Sequence, residues 1–193
     1  MEKEKGSDYY NKNSKQLEKN EDKYEDLYKS ACKMLMTSKI QFDEPIVDIG
    51  CGAGAFEKYL QDLGYSKCVG IDFSEKSIDR ARERFPNFRF LVGNLSSANK
   101  HIKKIISKGK VFVCFEVLEH IEDDFNVINL LPKDSLLIFS VPNINGHGHV
   151  RSFKDHTKVI DRYKDVLIFL DNTEMIKKGK PHHKLFLFKT VKK

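Results

Sequence analysis

Five short apolar runs, at 46–49, 68–71, 88–92, 111–115 and 136–141, alternate with amphipathic stretches through the middle of the chain. Runs this short suit strands covered on both faces, and the stretches between them carry apolar residues at helical spacing. Phe56, Tyr59, Leu60 and Leu63 share one helical face. Ser74 is placed to cap a helix through Arg84. Ile102 and Ile106 suggest a short helix, and Asp123 or Asp124 can cap another through Leu131. Strands alternating with helices in this way build βαβ units around a parallel sheet. Pro142 closes the fifth run. Two later runs, 166–170 and 185–191, have little between them beyond the turn Lys177-Lys178-Gly179-Lys180-Pro181. That gap favours an antiparallel hairpin at the sheet edge. The expected fold class is α/β: a doubly wound, mainly parallel sheet of seven strands ending in an antiparallel hairpin, with helices on both faces.

A chain of 193 residues holds one domain with a sizeable core. The first 20 residues are polar and without clear periodicity, so they read as a tail or a loose lid, with one domain over 21–193. Tyr24, Leu27, Tyr28, Ala31, Met34 and Leu35 then recur at helical spacing. Lys and Arg outnumber Asp and Glu by 34 to 28. The excess is C-terminal: residues 151–193 carry twelve basic against five acidic side chains, a net of +7, whereas residues 1–30 carry seven against eight. A lysine-rich face of this kind serves solubility first and attraction for an anionic small molecule second. Few aromatics interleave with the lysines, so nucleic acid is the less favoured partner. No apolar run is long enough to span a bilayer, and Met1-Glu2-Lys3-Glu4-Lys5 offers no secretory signal. The cysteines, Cys32, Cys51, Cys68 and Cys114, form no CxxC pair, which argues against structural zinc or a disulfide framework and for a reducing cytoplasm. Oligomeric state is not legible.

Where the first strand passes into a helix stands Val47-Asp48-Ile49-Gly50-Cys51-Gly52-Ala53-Gly54. Glycine there lets the backbone approach a ligand, and the helix start presents free N–H groups. Asp72 follows at the end of the second strand, where a carboxylate can accept hydrogen bonds from a ribose diol. A nucleoside-bearing cofactor is implied. Gly50-x-Gly52-x-x-Ala55 also fits a dinucleotide fingerprint. Asp48, two residues before the first glycine, sits badly beside a pyrophosphate and better beside a cation such as a sulfonium with an α-amino group.

Three segments, Asp48-Ile49-Gly50-Cys51-Gly52-Ala53-Gly54, Gly70-Ile71-Asp72-Phe73-Ser74 and Phe115-Glu116-Val117-Leu118-Glu119-His120-Ile121-Glu122-Asp123, resemble successive motifs of class I S-adenosylmethionine-dependent methyltransferases. The similarity is greatest to the ubiquinone-biosynthesis O-methyltransferase-like, type 11-12 group, and it covers roughly residues 40–191. It implies a Rossmann-like fold with S-adenosyl-L-methionine as cofactor. Gly50, Cys51, Gly52 and Gly54 would pass beneath the methionine part, and Asp48 would reach its amino group. Asp72 would hold the ribose and Phe73 would pack on adenine. Asn94, with Leu95 beside it, stands where the family usually has Asp against the adenine amine. Phe115 and Glu116 would face the methyl group.

Glu116, Glu119 and His120 have the i, i+3, i+4 spacing of one helical face. His147, His149 and His156 follow the fifth strand, whose end opens on the same crevice. His149 is placed to face the cluster across it. Three roles suit these residues: shaping the pocket, general-base catalysis by His120 or His149 with Glu116, and binding of a divalent metal (Mg, Mn or Co) by Glu116, Glu119, His120 and His149. The last resembles the arrangement in small-RNA 2′-O-methyltransferases. His182-His183, in the hairpin turn, reads as surface, and Arg151 as a carboxylate partner or an anchor for an anionic group. The expected activity is methyl transfer to an oxygen or nitrogen of a small molecule. The alternatives are a metal-assisted RNA 2′-O-methyltransferase, a dinucleotide-dependent oxidoreductase and a non-catalytic cofactor-binding subunit.

Overall fold

The computed structural model describes residues 2–18 and 21–193. Its sheet has seven strands in the order β3-β2-β1-β4-β5-β7-β6. These are β1 (Ile46–Ile49), β2 (Cys68–Asp72), β3 (Arg89–Val92), β4 (Val111–Phe115), β5 (Leu136–Pro142), β6 (Leu167–Ile176) and β7 (Lys184–Lys192). The first five pair in parallel; β7 runs antiparallel between β5 and β6. The chain reverses direction across the sheet between β1 and β4, so the loops after β1, β2 and β4 open on one crevice, the usual binding place in such folds.

Side chains alternate along each strand, and both faces are covered, which is why β4 is apolar at all five positions. Phe112 and Cys114 point to one face, where α5 (Lys100–Ile106), α6 (Asp124–Leu130) and α7 (His156–Tyr163) pack. Val111, Val113 and Phe115 point to the other, beneath α2 (Glu25–Thr37) and α3 (Ala55–Asp62). Phe85 and Phe90 form a smaller cluster with Ile78 and Ala81 of α4 (Glu75–Arg84). Ser74 caps α4 by accepting from Ser77 N, and Asp123 caps α6 by accepting from Asn126 N, both as the sequence predicts.

One expectation gains detail and another needs correction. The N-terminal segment, read as a tail or a loose lid, contains helix α1 (Ser7–Glu18), which packs on α4. Its polarity hid an amphipathic turn whose partner is another surface helix; Met1, Lys19 and Asn20 lie outside the described residues. The stretch after β5 contains helix α7, capped by Asp155, with Val159 and Tyr163 fully buried at i, i+4. It places His156 on an exposed helix start, away from the crevice.

Candidate active site

The crevice at the strand ends is a cavity of about 430 Å³. At one end lies the glycine loop. Gly50 (φ 73°) and Gly52 (φ 54°) both hold left-handed backbone conformations. A Cβ on Gly50 would come within 2.3 Å of Val117, whereas one on Gly52 would meet no protein atom within 4 Å and would project into open space. Gly52 is thus where a ligand can approach the main chain. Asp72 closes this turn: its Oδ2 accepts from Gly52 N at 3.0 Å and its Oδ1 from Ser74 N at 2.8 Å. Each oxygen keeps a second lone pair. Burial raises the Asp72 carboxyl above its ordinary range, partly offset by these N–H donors. Phe73, Leu95 and Phe115 also line the cavity.

Not all of the expected cofactor-binding residues line the cavity. Asp48 is buried and does not line the cavity. Its side chain lies beneath the loop facing Glu57, and burial together with that neighbouring acid pushes its carboxyl well above the ordinary range. Burial there disfavours the charged form of the carboxyl. Gly54 is also outside the lining; its left-handed turn (φ 81°) starts α3, and a Cβ would meet the Phe85 ring at 2.9 Å. Cys51 contributes its backbone to the loop while its Sγ packs toward Gly70. Asn94 lines the cavity, yet its Oδ1 already accepts from Ser96 N at 2.8 Å.

Beyond β4 the chain departs from the expected helix. Glu116 has φ 56°, so the turn Leu118–His120 starts after a left-handed residue and Glu116 is off its face. The Glu116 carboxylate accepts from Ser140 Oγ at 3.0 Å, and burial raises it to about 7. Glu119, His120 and His149 do come together: one ligand atom from each lies within 4.8 Å of the others. Glu119 is fully buried with neither carboxylate oxygen hydrogen bonded. His120 Nδ1 lies 3.1 Å from Gly148 O, and His149 Nδ1 lies 3.0 Å from Ile144 O. Both rings therefore donate from Nδ1 and leave the Nε2 lone pair free. Burial lowers His120 to about 4 and lowers His149 as well, which keeps both neutral at pH 7. Glu116 stands outside this trio because its backbone turn aims it at Ser140.

The cavity is roofed from the N-terminal segment. Glu2 accepts from Gly148 N and meets His147 Nδ1, each at 2.9 Å, and Glu4 accepts from Glu122 N at 2.8 Å. Tyr10 packs on Phe73, ring centroids 5.0 Å apart, and edge-on to His120. Arg151 is the carboxylate partner the sequence offered: it donates to the carbonyls of Leu118, Ile121 and Glu122 and pairs with Asp124 at 3.3 Å.

Residues 46–129 match a family model described as a methyltransferase domain. Over 117 residues the chain is 26% identical to the ubiquinone biosynthesis O-methyltransferase of Neisseria meningitidis serogroup C, covering 54% of this chain and 47% of that protein. Magnesium protoporphyrin IX methyltransferase of Synechocystis PCC 6803 with bound SAH has the same fold, with TM-score 0.68 at 15% identity over 89% of this chain and 84% of that one. Residues 46–129 are thus similar to a methyltransferase domain, and the sheet has the fold of S-adenosylmethionine-dependent methyltransferases. The N-methyltransferase NodS of Bradyrhizobium japonicum WM9, in complex with SAH, is similar to this chain at TM-score 0.68 and 18% identity, over 88% of this chain and 87% of that one. The chain spans about half the length of the curated relatives it matches.

The hairpin corrects one reading and adds a residue: His182 is exposed as expected, but His183 is not a surface residue, and with Lys177, on the other side of the β6–β7 turn, it lines the cavity beside Tyr24 and Tyr28. Their signal was topological: an edge hairpin beside β5 brings its turn to the crevice end of the sheet.

Proposed function

We propose that this domain binds S-adenosylmethionine and transfers its methyl group to an oxygen or nitrogen of a small molecule. The observation that carries the reading is the Gly50–Gly52 cradle closed by Asp72 at the mouth of the cavity. Bound there, S-adenosylmethionine would supply an activated methyl on a cationic sulfur. Asp72 would hold the ribose hydroxyls through its remaining lone pairs, and the Gly50, Cys51 and Gly52 backbone would follow the ligand chain. Phe73, Leu95 and Asn94 would bound the adenine. Phe115 and the half-buried Glu116 would flank the reacting end, keeping water out and holding the acceptor in line. With free Nε2 atoms, His120 and His149 are placed to take a proton from a hydroxyl acceptor when no cation occupies those lone pairs.

The Glu119, His120 and His149 trio favours a second element. A buried carboxylate with no hydrogen-bond donor, beside two imidazoles anchored through Nδ1, is the donor set of a divalent cation site. Mg, Mn or Co bound there would lower the pKa of an acceptor hydroxyl. Glu116 is left out of this set. The four cysteines are buried and free, which suits a reducing compartment, and we place the protein in the cytoplasm. Among the described residues no helix is long and apolar enough to cross a membrane.

The test is transfer of labelled methyl from S-adenosylmethionine to a panel of hydroxy- and amino-substituted acceptors. Transfer is expected, and His149→Ala should reduce it by at least tenfold. Loss of transfer in EDTA, restored by Mn²⁺, would support the cation. Activity indifferent to both EDTA and His149→Ala would remove the trio from the chemistry, and stabilisation by NAD(H) with none by S-adenosylhomocysteine would overturn the methyltransferase reading.

A further inference from the structure

The crevice has two halves. The loops after β1, β2 and β3 supply the glycine cradle, Asp72 and Asn94; the loops after β4 and β5 and the hairpin turn supply Glu116, His149, Lys177 and His183. If the first half holds the nucleoside, the second faces the methyl acceptor.

The hairpin turn is built to present two groups to that half. Lys177 N donates to His183 O at 2.8 Å, Lys180 N to Lys177 O at 2.9 Å and His183 N to Lys180 O at 2.9 Å. These bonds fix Lys177 and His183 side by side, while Lys178, Gly179, Lys180, Pro181 and His182 stay outside, exposed. The Lys177 ammonium donates to Tyr24 Oη and stands 3.7 Å from the centre of the Tyr24 ring. Among the described residues it has no carboxylate within ion-pair distance; Glu116 and Glu119 act on it only from farther away. Burial lowers its pKa, so the uncompensated charge is a cost of the fold. His183 Nε2 is buried without a hydrogen-bond partner. Burial lowers this imidazole to about 4, leaving it neutral at pH 7. One ammonium and one neutral imidazole, both short of partners, are thus aimed into a cavity that Tyr24, Tyr28, Glu116, Glu119 and His149 also line.

We propose that Lys177 and His183 form an anion subsite for the methyl acceptor, and that the acceptor is a hydroxy or amino compound bearing a carboxylate. A single cation beside a neutral N–H donor matches a monoanion. A phosphate dianion would be opposed by Glu116 and Glu119. Tyr24 holds the lysine in place through its hydroxyl and ring. The proposal rests on the methyltransferase reading for the direction in which the acceptor lies.

The experiment uses the full chain saturated with S-adenosylhomocysteine, titrated calorimetrically with 3-hydroxybenzoate and with its neutral isostere 3-hydroxybenzamide. The acid is expected to bind at least tenfold more tightly than the amide. Lys177→Met should remove that preference, Lys177→Arg should keep it, and His183→Phe should weaken it severalfold. The Kd for S-adenosylhomocysteine should stay within twofold in all three variants, which also reports that they are folded. Equal binding of acid and amide, no binding of the acid at millimolar concentration, or a Lys177→Met protein that still prefers the acid would each overturn the subsite. Failure to take up S-adenosylhomocysteine would instead undo the reading beneath it.

Discussion

At the scale of single residues, the glycine loop separates two reasons for the same amino acid. Gly50 is required by packing, since a side chain would enter Val117; Gly52 is required by the space a ligand uses. Gly52→Ala is therefore expected to lose about 1–2 kcal/mol of stability from left-handed backbone strain, while weakening S-adenosylhomocysteine binding by at least tenfold. Gly50→Ala should lose more stability because the clash adds to the strain. Urea denaturation paired with calorimetry separates the two; equal effects on binding and stability at both positions would contradict the assignment. Glu116 carries a pH signature. Its folded pKa of about 7 lies above its ordinary 4.5, so the stability it contributes is present in full below pH 4.5 and lost as pH rises through 7. Measured against Glu116→Gln, the wild type should lose relative stability between pH 5 and pH 8. A wild type that gains stability relative to Glu116→Gln over that range would contradict a buried, reluctantly ionised carboxyl.

At the scale of elements, the strands and most helices were legible because burial on both faces writes continuous apolar runs, and caps such as Ser74 and Asp123 are local. The lining of the crevice was legible where it depends on a turn of one chain segment, as at Gly50 and Asp72. It was not where a backbone angle re-aims a side chain. The spacing of Glu116, Glu119 and His120 is helical, but φ 56° at Glu116 takes the first off the shared face. The placement of Asp48 was not legible for a related reason: in a strand buried on both faces, its side chain faces Glu57 and the core. Lys177 and His183 could not be read without the sheet order. Residues 2–18 looked featureless because their contacts are polar and long-range: Asn11 Oδ1 accepts from Ser74 Oγ at 2.8 Å and from Lys76 N at 3.3 Å, over the start of α4. Deleting residues 2–11 should leave the far-ultraviolet circular dichroism of the remaining domain nearly unchanged and weaken S-adenosylhomocysteine binding by about tenfold, because Tyr10, Glu4 and Lys5 line the cavity. Unaltered binding would show that the segment is not part of the cofactor enclosure.

At the scale of the whole molecule, the sheet does two tasks with one topology. The reversal between β1 and β4 opens the crevice, and the antiparallel hairpin that ends the sheet supplies its far wall. Buried acids ring this space: Asp72, Glu116 and Glu119 are all raised by burial. Carboxyls so placed accept hydrogen bonds from hydroxyl donors, which the ribose of a nucleoside supplies. The decisive measurement is calorimetric titration of S-adenosylhomocysteine into the wild-type chain and into Asp72→Ala, with NADH as the competing ligand. Saturable one-to-one binding of S-adenosylhomocysteine, weakened at least tenfold by the substitution while the protein stays folded, and no binding of NADH, is the predicted result. An Asp72→Ala protein that binds S-adenosylhomocysteine as tightly as the wild type, or a wild type that binds NADH in its place, would contradict the account.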